Sequence, residues 1–467
     1  MELLNDSDDE EWEQLTGAAS LAMSNCSAMM RQYMAGGALE EEEKEDHRAL
    51  PRSVRKDYMH AQAKACINRD YLGPDALFGA DFPLQFAISR PRFQKLMEDI
   101  AATGNPFYLS TTSASGKVGA SFEARLLLPL KTLSYGVATH CFIDYFQFSK
   151  QFALDACRQF DRAVASVYTK DFLRVPTVQD LKDLYTLHKH VHQVDGMIGS
   201  LDCSHTFWKN CPTGWQGSYQ GKEGKPSIVL EAMCDYHLFF WHVSYGYAGT
   251  LNDKTILRMS PLLESMIDGT FEELETEAEL VPFRIEGTEE PFKSCFILVD
   301  GIYPKYSRFV KGIKEPLSEE ESKYTAWQEA CRKDIERAFG VLKGKFQFMD
   351  RPIHLHRLED IAMRVSCCLI LHNILVSDRV MGSVHERYSP AHSLEELDIE
   401  VGQPADLQAV QAGNAGNGTV VGGGIGLTNA PPSVQRLFAK RDRFRALADR
   451  GEHARLHQAL LNLFGNN

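Results

Sequence analysis

The sequence lacks several features that would place it quickly. No uninterrupted apolar run reaches the roughly 18–20 residues a membrane span requires, so no membrane partner is expected. No glycine-rich phosphate loop is present, because Gly221-Lys-Glu-Gly-Lys225 has neither the spacing nor the strand-before, helix-after context. The opening Met-Glu-Leu-Leu-Asn-Asp-Ser-Asp-Asp-Glu-Glu has no basic patch and no apolar stretch, which argues against a secretory leader. The 11 cysteines are scattered, and 467 residues can bury a core without covalent staples. They are expected to be buried thiols of a reducing compartment. A basic excess is missing too: the formal net charge is −13.

That charge is unevenly spread. Residues 1–46 hold 13 Asp and Glu against 2 Lys and Arg, which leaves the remainder close to neutral at −2. Phosphate-binding patches are therefore compatible with the body of the chain. The 1–46 segment, acidic at both ends with a Met/Ala/Ser/Gly middle, has the composition of a disordered tail. His47, Arg48, Arg52, Arg55 and Lys56 follow as a short basic run, either a nuclear-import signal, a phosphate contact or a solvated helix face.

Residues 47–195 have helical periodicity. Ser89 precedes a helix carrying Phe93, Leu96, Met97 and Ile100. Ser121 to Gly136 is an apolar helix despite Pro129, and Ser149 starts another with Phe152, Ala153, Ala156, Phe160, Ala163 and Val167 buried. Helix, glycine-containing turn and serine-capped helix is the layout of a helix-turn-helix, although any small bundle shares it. Lys150, Arg158, Arg162 and Lys170 would be its phosphate contacts. Thr177 caps a further helix, and His188, His190 and His192 are expected at its exposed end rather than in a metal site.

From Gly196 the period changes to two. Met197–Asp202, Lys225–Asp235, His237–Gly246 and Ser294–Asp300 are expected strands, the middle pair a hairpin. Asn252 or Asp253 caps a short helix, residues 264–293 look like an acidic loop, and long helices follow within 315–346 and 358–376. The expected class is α/β, a mixed sheet flanked by helices over 196–380 and preceded by the helical segment. Residues 381–431 are loop and Gly-rich linker, and an Arg-rich helix lies within 432–467.

Three acids stand out. Asp202 and Asp300 each close an apolar strand, and Glu336 lies mid-helix in Arg332-Lys-Asp-Ile-Glu-Arg337. Most such acids only meet water. Three of them brought to one end of a sheet would suit Mg²⁺ or Mn²⁺, which take hard carboxylate oxygens. Cys203, His205 and Cys211 are close in sequence but lack a fourth ligand for zinc.

The segments Gly199–His205, Trp208-Lys-Asn-Cys-Pro-Thr-Gly-Trp-Gln-Gly217, Lys225–Ala232, Gly249-Thr-Leu-Asn-Asp-Lys-Thr-Ile-Leu257, Val299-Asp-Gly-Ile-Tyr-Pro304 and Arg332–Leu342 resemble, in order, the PIF/Harbinger transposases. They are most similar to the plant-transposon-protein branch, over about residues 85–378. The resemblance implies an RNase-H-like core and a catalytic Asp-Asp-Glu triad at Asp202, Asp300 and Glu336. The 35 positions between the last two fit the spacing such enzymes favour. Asp253 matches a further family acid, either an auxiliary metal ligand or a helix cap. Arg332, Arg337 or Lys343 would steady phosphate, and His205 would either position substrate or bond to backbone.

The implied activity is metal-dependent cutting of DNA at transposon ends, with strand transfer into a target. Implied partners are terminal-repeat and target DNA, a separate Myb-like DNA-binding protein and a second copy of the chain; the implied compartment is the nucleus. Phe148-Ser-Lys-Gln-Phe152 departs from the family's usual recognition-helix start. The alternative function is a domesticated, catalytically silent DNA-binding or adaptor protein.

Overall fold

The computed structural model describes residues 58–109, 112, 116, 118–385, 388, 390 and 432–465. The acidic tail, the basic run from His47 to Lys56 and the Gly-rich linker over 411–427 lie outside these residues.

The described chain begins with helices. After short ones at His60–Ile67 and Phe82–Phe86 come α1 (Arg90–Ala102), α2 (Phe122–Tyr135), α3 (Lys150–Phe172) and α4 (Val178–His192). Their starts follow from capping chemistry. Ser89, Ser121, Ser149 and Thr177 each accept a hydrogen bond from a backbone N–H of the first turn, and Asp180 completes a capping box with Thr177. The connection from Gly136 to Ser149 contains a 3-10 turn and a further short helix, Ile143–Phe146. That is longer than the roughly 3–4-residue turn of a helix-turn-helix. Moreover, α3 packs on α2 and on α9 (Leu358–Val380), joining the core beneath the sheet. Its solvent face is a stripe of Gln151, Arg158, Arg162, Ser166 and Lys170.

The sheet comprises β1 (Met197–Phe207), β2 (Ser227–Cys234), β3 (Phe240–Ala248), β4 (Phe296–Leu298) and β5 (Phe309–Val310), in the order β3-β2-β1-β4-β5. The pairs β1–β2 and β2–β3 are antiparallel, while β1–β4 and β4–β5 are parallel. This is a mixed five-stranded α/β sheet, compatible with the RNase-H-like fold. Strand β1 runs on past Asp202 to Phe207, contrary to the expectation that it ends there. Its polar second half stays extended because pairing with β2 continues from Ser200↔Cys234 to Phe207↔Ser227.

Part of the 264–293 stretch expected as loop is helical, in α6 (Pro261–Asp268) and α7 (Thr270–Glu277), after the short α5 (Asp253–Arg258). Their acids lie outward while Leu262, Leu263, Met266, Ile267 and Phe271 are buried. Glu275 is an inward exception, held by Arg308 at 2.6 Å. The long α8 (Glu319–Lys345) crosses one face of the sheet. The C-terminal helix is two helices, α10 (Pro432–Leu447) and α11 (Arg450–Gly465). The first packs on α6 and the second on α8, where Trp327 and Phe464 stack at 3.9 Å.

Helix α9 is long and apolar enough to cross a membrane by length and composition, but its apolar window is mostly buried inside the fold. Burial of His188 corrects another expectation: it is fully buried and stacked on His192, while only His190 is exposed. Burial pushes its imidazole well below the usual histidine range, so it is held neutral.

Candidate active site on the sheet

Period-two geometry sets which face of the sheet each acid occupies. On β4, Phe296 and Leu298 join the hydrophobic cluster that contains Tyr324 and Cys331 of α8, while Ile297 and Val299 join the larger cluster, which includes Ile335 and Ala338 further along α8. Continuing that alternation puts Asp300 on the side of Phe296 and Leu298. On β1, the Ser200 hydroxyl donates to the Cys331 carbonyl of α8 and the Thr206 hydroxyl to Met349, so the even-numbered positions, Asp202 among them, share that side. Ser200 pairs with Leu298 in the parallel ladder. Asp202 and Asp300 are thus each two residues beyond paired positions of adjacent parallel strands.

Strand β1 is re-aimed just before Asp202. The parallel register shifts between Met197 and Ser200, and Gly199 there has φ +152°. A Cβ at Gly199 would stand 2.7 Å from the Cys234 carbonyl oxygen, so only glycine lets β2 approach.

Helix α8 is held in register by Gln328, whose buried amide donates to the carbonyls of Val299 and Val310 at 3.0 and 3.1 Å. One turn further on, Arg332 donates to Asp202 at 3.0 Å and to Glu336 at 2.6 Å. One guanidinium therefore spans the first and third acids. Beyond β4, the Asp300 carboxylate accepts from the Gly301 N–H, and Lys311 fastens the turn through the carbonyls of Gly301 and Tyr303.

Burial pushes the Asp202 carboxyl up to about 6; a hydrogen bond from the Cys203 N–H and the Arg332 charge oppose this, while Asp253 and Asp300 add to it. Asp253 is likewise raised, by burial first and by Asp300 in part. It lies against the odd-numbered side of β1, near Cys203 and His205. Asn252, not Asp253, caps α5, accepting from the Thr255 N–H at 2.9 Å. This leaves the Asp253 carboxylate free of the cap role.

Asp202 thus feels the charges of Asp253 and Asp300 and is joined to Glu336 through Arg332, while the Lys343 ammonium donates to the His205 carbonyl at 3.3 Å. Arg337 is directed elsewhere: it pairs with Asp334 and lies 5.8 Å over the Tyr236 ring. Lys150, Arg158 and Arg162 are on α3, which packs on α2 and α9 rather than on α8. Arg158 is paired there with Asp360 at 3.4 Å.

Among the described residues, no group of three or more His, Cys, Asp or Glu side chains converges closely enough to hold a metal ion. In kind, however, the donor set is a hard-cation set of carboxylates. Burial first, and the charges of Asp253 and Asp300 after it, raise Asp202, and the cation paired with Asp202 and Glu336 is Arg332. The residues fit a divalent ion by charge and ligand type, with Arg332 standing where positive charge is wanted.

The bridging position of Arg332 and the raised Asp202 were not visible in sequence. Arg332 precedes Glu336 by one helical turn, which shows that the two can meet but not that Asp202 joins them.

An α/β protein with acids on two adjacent parallel strands and a crossing helix is the class this arrangement defines. Comparison with known proteins narrows it. Residues 170–382 match the family described as plant transposon protein. The bovine protein named "Putative nuclease HARBI1" is 23% identical over 48% of this chain and 60% of its own length. The human protein of the same name is 22% identical over 51% of this chain and 63% of its own length. The chain thus spans about three fifths of the length of the curated relatives it matches. No solved structure matches it. Over residues 170–382 the chain is thus similar to the plant transposon protein family, and more weakly to the two relatives named as nucleases.

Proposed function

We propose that the chain is a divalent-metal-dependent DNA nuclease of the transposase kind, cutting phosphodiester bonds at transposon ends and transferring the freed strand to a target. The observation that carries this reading is the placement of Asp202 and Asp300 at equivalent positions of adjacent parallel strands, with Glu336 tied to Asp202 through Arg332. The names of the relatives support a nuclease-like role.

In this reading Asp202, Asp300 and Glu336 supply the carboxylate oxygens that hold Mg²⁺ or Mn²⁺, with Asp253 as an added acid. The ions supply activation of an attacking oxygen and neutralisation of charge at the scissile phosphate. The remaining work belongs to the protein. Arg332 releases the two acids and turns its guanidinium to phosphate, whose geometry it matches in two parallel hydrogen bonds. Lys343 and His205 flank the strand path. Lys150, Arg158, Arg162 and Lys170 form a second, distant contact line for the duplex on α3. Terminal-repeat and target DNA, a Myb-like DNA-binding protein, a second copy and a nuclear location complete the reading.

One observation favours a second reading, a DNA-binding or adaptor protein that kept the fold and lost the reaction: Arg332 already satisfies Asp202 and Glu336. Incubation of the purified chain with end-containing DNA and Mn²⁺ separates the two. The nuclease reading expects cutting that falls by roughly a thousandfold or more in Asp300→Asn and Glu336→Gln, as loss of several kcal/mol of transition-state stabilisation requires. Equally low cutting by all three proteins supports the second reading. Equally strong cutting overturns the triad.

A further inference from the structure

The connection between β1 and β2, residues 208–226, is a built surface rather than a bare loop. It starts from Trp208, fully buried, whose indole N–H donates to the Leu355 carbonyl at 2.8 Å. A 3-10 turn at Thr213–Trp215 and a short helix at Gln216–Tyr219 follow. Tyr219 packs edge-on to Trp208 at 5.1 Å, and Trp215 packs against both, 6.1 Å from each ring and near-parallel to Tyr219. Trp215 is nonetheless 47% exposed. A large aromatic side chain is thus fixed in orientation by two rings and left half open to solvent.

The surface is attached to the acid site. The Thr250 hydroxyl donates to the Ser218 carbonyl at 2.6 Å, tying this connection to the corner that leads into Asp253. At that corner a Cβ on Gly249 would stand 2.7 Å from the Tyr219 carbonyl oxygen, so the two backbones touch. Lys222 is close enough to act on both Asp253 and His205. Lys209, Lys222 and Lys225 are all exposed, with Glu223 the one acid between Lys209 and Lys225. Lys225 also lies 5.5 Å over the Phe207 ring at the end of β1.

A rigid aromatic face on a connection that also carries three exposed lysines is the combination that receives single-stranded nucleic acid, because every base offers a ring to stack on and every nucleotide a phosphate. We propose that Trp215 is a stacking platform for an unpaired base of the DNA strand entering the acid site, with Lys209, Lys222 and Lys225 along its phosphates. This rests on the nuclease reading for the identity of the strand. The charge of the rim selects a polyanion over an apolar peptide, and attachment beside Asp253 places the base within the same site. The platform reads an opened end or frayed strand, not the stacked interior of a duplex.

The test is fluorescence anisotropy of the full chain in EDTA with a labelled single-stranded oligodeoxynucleotide and with a blunt duplex of the same sequence. Trp215→Ala is expected to weaken single-strand binding by roughly 5–100-fold, in line with one stacked base. Trp215→Phe should keep most of the affinity, and the blunt duplex should change less than about twofold. Lys222→Gln with Lys225→Gln should flatten the salt dependence, which Trp215→Ala should leave intact. Single-strand binding by Trp215→Ala within twofold of wild type overturns the proposal. So does an equal loss in Trp215→Ala and Trp215→Phe, or an equal loss for strand and duplex. Failure here is separable from failure of the nuclease reading. Cutting that depends on Asp300 alongside unchanged binding by Trp215→Ala sinks only the platform. Trp215-dependent binding of a strand that is never cut with Mn²⁺ sinks only the nuclease.

Discussion

The molecule contains two arginine–carboxylate groupings with the same chemistry and opposite settings. Between α3 and α9, Arg364 donates to both oxygens of Asp161, at 3.4 and 3.1 Å, and also to the Thr132 hydroxyl. Both side chains are buried, at 8% and 5% exposure. Across β1 and α8, Arg332 joins Asp202 and Glu336, but Glu336 is 48% exposed and further acids, Asp253 and Asp300, crowd Asp202. In the first grouping the charges are balanced and sealed. In the second, negative charge exceeds positive and one side is open. A closed pair of this kind holds helices together, whereas an open, acid-rich one leaves work for a cation to do.

Breaking the closed grouping should have the largest effect on folding. Arg364→Ala leaves Asp161 buried without its partner and should lower stability by about 3–5 kcal/mol in urea unfolding. Replacing both residues with apolar ones, Asp161→Leu with Arg364→Met, should recover most of that loss, because no charge is then stranded.

The open grouping should respond in the opposite direction. The native Asp202 carboxyl titrates near 6 rather than near 3.8, so its ionisation weighs against the fold. That cost is absent below about pH 4, grows between about pH 4 and 6, and is complete above that. In EDTA, Asp202→Asn should therefore stabilise the protein by roughly 2–3 kcal/mol at pH 7.5, and by nothing near pH 4. Thermal melts at several pH values would show this, and destabilisation at pH 7.5 would mark the group as structural.

Arg332→Gln should change stability least, by about 1 kcal/mol or less, because the pair it breaks is partly solvated. Its effect should fall on the ion instead. With the competing guanidinium gone, Mn²⁺ should bind several-fold more tightly, as read by the metal-dependent shift in melting temperature. An Arg332→Gln variant that melts far below wild type would place this grouping beside Asp161–Arg364 as a brace.

Local rules carried much of this arrangement. The caps at Ser89, Ser121, Ser149, Thr177 and Asn252 follow from short polar side chains preceding apolar periodicity, and the helices start there. The hairpin strands and the order of the three acids were legible for the same reason. What was hidden depends on partners distant in sequence. Strand β5 has only Phe309 and Val310, too few residues to show a period. Ser204 and Thr206 belong to a strand because β2 pairs with them. The acids of α6 and α7 masked a buried apolar face, and Glu275 is inside where Arg308 and the Cys295 N–H meet it. His188 is buried with neither ring nitrogen bonded, and no local signal separates it from exposed His190. The Arg332 bridge exists because Gln328 fixes how α8 lies across β4 and β5.

Under the proposed nuclease function, Asp202, Asp300 and Glu336 act together on a divalent cation. Calorimetric titration of Mn²⁺ into the metal-stripped chain at pH 7.5, wild type beside Asp300→Asn, tests it most directly. Wild type is expected to give a saturable isotherm that is lost in Asp300→Asn while the melting transition in EDTA stays intact. Identical isotherms for the two proteins, or no binding by wild type, would contradict it.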